Sequence, residues 1–217
     1  WIIESDAPFN AWDKIIHSDA WKTLSNIEVF AELNSDIQEI DSVLSDKIFL
    51  LRILGNKKAL MSVHEYAQGK YDYLYIMNLG KITRLQNPEK IIASFLGSEY
   101  PITKRIFNTQ TIYEMLDRES GEMYTFCFVH EKIIFSTNYR LIEASINEMD
   151  KMTIGRNLDF INVSKRVSGK GLFNLYINYT FFPDYMRWML GKTTKSIADL
   201  KRELSFSAFS FDIDSEG

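Results

Sequence analysis

Residues 122–152, EMYTFCFVHEKIIFSTNYRLIEASINEMDKM, hold the pattern that most narrows what this chain can fold into. Met123–Val129 and Ile133–Phe135 are apolar runs rich in aromatic and β-branched residues, with His130, Glu131 and Lys132 between them. Two such runs around a short polar turn read as a hairpin. Beyond Asn138 the period changes, because Leu141, Ile142, Ser145, Ile146 and Met149 follow the i, i+4, i+8 stripe of a helix with one buried face. A hairpin needs a cover for its apolar face and the helix needs something to cover. The stretch therefore predicts an α+β fold, an antiparallel sheet built from hairpins with helices packed on it. Cys127 and Ile142 belong inside such a unit and His130 outside.

The same alternation recurs upstream. Asn56–Tyr66 and Tyr71–Leu79 flank AQGK as one hairpin, and Ile102–Phe107 and Thr111–Leu116 flank Asn108–Gln110 as another. Pro88 opens a short helix, PEKIIASFLG, that Gly97 ends. Residues 10–55 read as helical in two or three pieces. Ser18 suits the cap of the piece holding Trp21, and Ile37, Ile40, Leu44, Ile48, Leu51 and Leu54 form the strongest helical stripe, stopped by Gly55. Residues 1–157 thus form one unit: helical 10–55, hairpins 57–137 and a helix over 138–150. Residues 158–217 either begin a second, truncated α+β unit or continue the first, with a helix at LDFINVSKRV (158–167), a strand at Leu172–Tyr179, a buried aromatic helix over Phe181–Leu190, a polar helix at Thr194–Leu204 and a strand at Phe206–Ile213. Strand, helices, strand in each part suggests an internal repeat, cut short at Gly217.

Composition excludes several classes. With 46% hydrophobic residues, only ten glycines and four prolines, the chain has the makings of a packed core. One cysteine rules out an intrachain disulfide or a cysteine-rich metal site. Residues 1–50 carry ten acids against three bases, and residues 151–217 ten bases against seven acids, so neither end has the basic footprint of a nucleic-acid binder. No apolar run reaches the ~20 residues of a membrane helix. A membrane tie would come only through a segment absent from this chain, which begins at Trp1 without an initiator methionine.

Chemistry-bearing motifs are sparse. Gly191-Lys192-Thr193-Thr194 lacks the earlier glycine of a phosphate loop, since position 186 is Met, and no strand precedes it. No nucleophile elbow or triad cue is present. Val-His-Glu occurs twice, so His64, Glu65, His130 and Glu131 are the candidate metal ligands, imidazole and carboxylate suiting zinc, iron or manganese. The competing explanation is that both pairs are strand ends in water, and no metal or cofactor is assigned. Tyr71, Tyr73 and Tyr75 alternate and share one strand face, either a stacking surface or the half-buried side of a sheet under a helix. Phe181, Phe182, Tyr185 and Trp188 read as core ahead of ligand pocket.

The stretches NAWDKIIHSDAWKTL, KKALMSVHEYAQGKYDYLYIMNL, TIYEML and IIFSTNYRLIEASINEM resemble a group of uncharacterised cell-envelope proteins of Bacteroidetes-type bacteria, defined by a domain of unknown function. The resemblance implies a longer exported or membrane-anchored protein of which this is an ectodomain piece, and it brings no activity or catalytic residue. The expectation is a non-catalytic envelope module for binding or assembly, with envelope proteins as partners. The alternative is a carrier for an apolar ligand or lipid, with its cavity between the sheet and the helix Phe181–Leu190. An enzyme is the third reading, and oligomeric state is left open.

Overall fold

In a computed structural model of the chain, the described residues are 1–26, 57–81, 87–96, 101–117, 121–149, 151, 154–167, 169, 171–190, 199–200 and 202–213. In chain order they form β1 (Ile2–Ser5), α1 (Pro8–Ile16), α2 (Asp19–Ser25), β2 (Ala59–Ala67), β3 (Lys70–Asn78), α3 (Pro88–Leu96), β4 (Ile102–Phe107), β5 (Gln110–Leu116), β6 (Met123–Val129), β7 (Lys132–Ser136), α4 (Tyr139–Glu148), a 3₁₀ turn (Ile154–Arg156), α5 (Leu158–Val167), β8 (Phe173–Asn178), α6 (Phe182–Leu190) and β9 (Phe206–Phe211). The nine strands make one sheet, paired antiparallel throughout, in the order β4-β5-β6-β7-β3-β2-β1-β8-β9. The fold is α+β, as the alternation of hairpins and helical stripes requires.

Local chemistry explains the joints. Asn108 and Thr109 both take positive φ (44° and 68°), the backbone of a tight two-residue hairpin, so Gln110 joins β5 and does not belong to the expected loop. Pro88 and Pro8 stand in first helical turns, where no amide hydrogen is needed. The Ser18 hydroxyl accepts from the Trp21 amide at 3.0 Å, the cap expected of it, and Asn138 caps α4 by accepting from Arg140 at 3.2 Å. The stripe 37–54 lies outside the described residues, as does most of the predicted helix 194–204.

Alternation assigns the core to two layers. On one face Met115, Phe126 and Ile133 meet Ile91 and Ile92 of α3; on the other Ile112, Cys127 and Ile134 meet Leu141, Ile142 and Ile146 of α4. Cys127 and Ile142 are fully buried and His130 is exposed, as the pattern demands. Each fully buried isoleucine is worth roughly 1.5–3 kcal/mol of removed apolar surface. Across the sheet, β8 pairs with β1, with Ile2 opposite Tyr176 and Glu4 opposite Asn174. Residues 158–217 therefore extend the sheet of residues 1–157. The pairing aligns β2-β1-β8-β9, yet the expected internal repeat finds no support beyond that adjacency. The helix at the aromatic cluster starts at Phe182 and is not a buried one: Tyr185 is 5% exposed, but Trp188 is 44% and Met189 49% exposed.

Candidate functional site

Unequal strand lengths open a space in the sheet. β1 has four residues, whereas its neighbour β2 has nine. The pairing ends where the Val63 amide donates to the Trp1 carbonyl at 3.2 Å. Past that point β2 runs on through His64 and Glu65, and β8 through Ile177 and Asn178, with no described strand between them. The space is roofed on both sides. After β8, Asn178 Oδ1 accepts from the Thr180 amide at 3.0 Å, and the chain turns into α6, which folds over the Tyr71 end of β3. On the opposite face α5 brings Phe160 against Tyr176 (ring centroids 5.3 Å) and Phe206 (5.6 Å).

The result is a cavity of about 380 Å³. That lies within the ~300–1,000 Å³ of small-molecule sites. Trp1, Tyr71, Phe182 and Tyr185 form one wall, Phe160, Tyr176 and Phe206 the other, and Ser62, His64, Glu65 and Asn178 supply the polar groups. The Tyr185 ring meets Trp1 edge-on at 6.0 Å and Tyr71 at 5.6 Å, so neighbouring rings stand nearly perpendicular. Burial, then a hydrogen bond to Tyr185, pushes the Tyr73 hydroxyl up to about 12. Burial also raises Tyr71, followed by the nearby carboxylates of Glu65 and Asp184. Tyr71 and Tyr73 are therefore neutral near pH 7.

His64 stands at the mouth, its Nε2 2.8 Å from Ser62 Oγ. The Ser62 hydroxyl also lies 3.4 Å from the Leu74 carbonyl. Both contacts are satisfied when the hydroxyl donates to Leu74 and His64 Nε2–H donates to Ser62. In that arrangement the hydroxyl proton points away from the imidazole, the reverse of a base-activated nucleophile. Crowding by protein lowers the His64 pKa, so the ring is neutral at pH 7.

The predicted site residues are not brought together. His64 and Glu65 border the cavity, but His130 and Glu131 sit at the tip of β6–β7, beside the other end of β3. His64 lies opposite Asp72, and Lys132 opposite Asn78. Six residues of strand separate these points, about 20 Å. The His130-Glu131 turn has a structural task, its Glu131 carbonyl accepting from Leu79 and Gly80 at 2.8 and 3.1 Å. Among the described residues no three His, Cys, Asp or Glu side chains converge as a metal site would need. Sequence reasoning passed over Ser62, although it stands two residues from His64 and so on the same strand face, and over Trp1 and Asn178, whose strands become neighbours only in the fold. The Phe181–Tyr185 aromatics, read as core, line the cavity instead.

A second groove of about 470 Å³ runs between α1 and the sheet, lined by Ile3, Trp12, Ile15, Met61 and Phe135 among others. It is apolar almost throughout, with little to orient a ligand. No helix among the described residues is long and apolar enough to cross a membrane. No protein-family model matches the chain, and neither a curated protein nor a solved structure shows significant similarity to it.

Proposed function

We propose that this protein is a non-catalytic binding module of the bacterial cell envelope, and that the cavity between α6 and α5 holds a small, largely apolar ligand. The observation that carries the reading is the cavity itself, lined by aromatic rings and bordered at its mouth by the hydrogen-bonded Ser62–His64 pair. A few fixed polar groups in an apolar enclosure orient a ligand without performing chemistry on it. His64 Nδ1 has no hydrogen-bond partner among the described residues, so the pair lacks the orienting carboxylate of a catalytic triad. The envelope part of the proposal rests on the resemblance of residues 10–24, 57–79, 111–116 and 133–149.

Titration with the neutral fluorophore N-phenyl-1-naphthylamine tests the site. Saturable one-to-one binding, weakened about tenfold by Phe182→Ala and unchanged by Ile15→Ala, is expected. Binding that Ile15→Ala abolishes and Phe182→Ala spares moves the ligand to the α1 groove and sinks the proposal, as does the absence of saturation. Recovery of the protein in the cytosolic fraction removes the envelope part.

An assembly role is the second reading, favoured by β9, the outermost strand among the described residues. Phe209 and Phe211 are 44% and 41% exposed on it, with Phe211 stacked on Phe173 at 4.7 Å. Apolar side chains on an outermost strand invite strand addition. Concentration-dependent dimerisation lost in Phe209→Lys supports this reading, and a monomer at every concentration by light scattering removes self-assembly.

A further inference from the structure

Aromatic walls recognise neutral apolar groups and organic cations alike, and the charges around this cavity separate the two cases. Glu65 is part of the lining, and no described lysine or arginine is. Its Oε1 accepts from the Gly69 amide at 2.6 Å, which holds the carboxylate at the rim, and no described lysine or arginine pairs with it. Asp184, on the first turn of α6, adds a second carboxylate near Tyr71, partly offset by Arg187 at 3.1 Å. His64, the one basic side chain among the described lining residues, is biased toward its neutral form by its surroundings.

The rings fit the same ligand. Trp1 and Tyr71 each meet Tyr185 edge to face, and these three rings line the cavity together with Phe181 and Phe182. Ring faces carry negative quadrupole charge, and a set of them around one space is the recognised chemistry for a quaternary ammonium group. Such a cation is weakly hydrated, so it enters an apolar enclosure at small desolvation cost while Glu65 supplies the countercharge.

We infer that the cavity is an aromatic cage for an alkylated ammonium group, with Glu65 as its countercharge. This deepens the small-ligand reading and rests on it. The test compares choline with its neutral isostere 3,3-dimethylbutan-1-ol, following tryptophan fluorescence and calorimetry on the whole chain. Choline binds about tenfold more tightly than the isostere if the rings and carboxylate act together. Glu65→Gln, at an exposed position and with its fold checked by circular dichroism, removes most of that preference by weakening choline far more than the isostere. Equal affinity for the two molecules, or a preference that survives Glu65→Gln, overturns the cage and leaves the small-ligand proposal standing. Failure of choline, the isostere and N-phenyl-1-naphthylamine alike overturns both.

Discussion

The two halves of this sheet are built from the same alternation and end up as different objects. Around β5, β6 and β7 both faces are sealed, and the buried residues are mostly apolar, Ile112, Met115, Phe126, Cys127, Val129, Ile133, Ile134 and Ile142 among them, with Thr125 and Ser136 as polar exceptions. Around β1 and β8 the buried residues are Ser5, Ser62, Asn174, Tyr176, Tyr179 and Tyr185. Each of these carries a polar atom, and some are tied down, as when the Tyr176 hydroxyl donates to Glu4 at 2.6 Å and Ser5 Oγ to the Leu172 carbonyl at 2.8 Å, whereas Asn174 Oδ1 finds no partner among the described residues. Aliphatic side chains fill space, whereas tyrosines held by their hydroxyls frame it. The difference locates stability in one half and, on the proposed reading, ligand binding in the other.

The contrast can be broken by mutation. Ile142→Ala, at a site with no exposure, should cost about 3 kcal/mol in urea unfolding. Phe182→Ala removes a larger ring, but one that already faces open space, so about 1.5 kcal/mol is expected, with the main loss in ligand affinity. If Phe182→Ala proves the more destabilising, the cavity is a packed core and the distinction collapses. Asn138→Ala, which deletes the cap of α4, should cost about 1 kcal/mol and leave ligand binding untouched.

The smallest effect is a pH slope. His64 is depressed from 6.5, so an unfolded chain binds a proton that the folded one refuses. Stability is then full above pH 6.5, falls as pH drops through 6.5, and levels off below the folded value. His64→Gln should flatten that part of the curve in thermal melts. An unchanged slope in this variant places the titrating groups elsewhere. At the alkaline end Tyr73, raised to about 12 from 10.0, loses its contribution between those values, and Tyr73→Phe should remove that loss.

The sealed half was legible because its signals are local. The period switch at Asn138, the turn at His130 and the stripe through Leu141, Ile142 and Ile146 all lie within one stretch of chain, and α5 falls on LDFINVSKRV as its pattern demands. The cavity half was not, because its walls come from Trp1, His64, Tyr71, Phe160, Tyr176 and Phe182, each of which reads alone as core or strand end. Which aromatic faces a void depends on β1 lying between β2 and β8, and no periodicity encodes strand order. His64 stood out only through a repeated tripeptide whose second copy, at His130, belongs to an unrelated turn.

β1 also sets a timetable. The β2–β3, β4–β5 and β6–β7 hairpins close over turns of two residues, but Ile2 must wait for Tyr176. Bringing such distant residues together costs the most chain entropy of any pairing in the sheet. The strands around the cavity are thus the natural last to assemble and first to part, and amides of β1 and β8 should exchange with solvent ahead of those in β6. A bound molecule, touching β1, β2, β8 and α6 together, would act as the clasp that holds the earliest and latest parts of the chain in register.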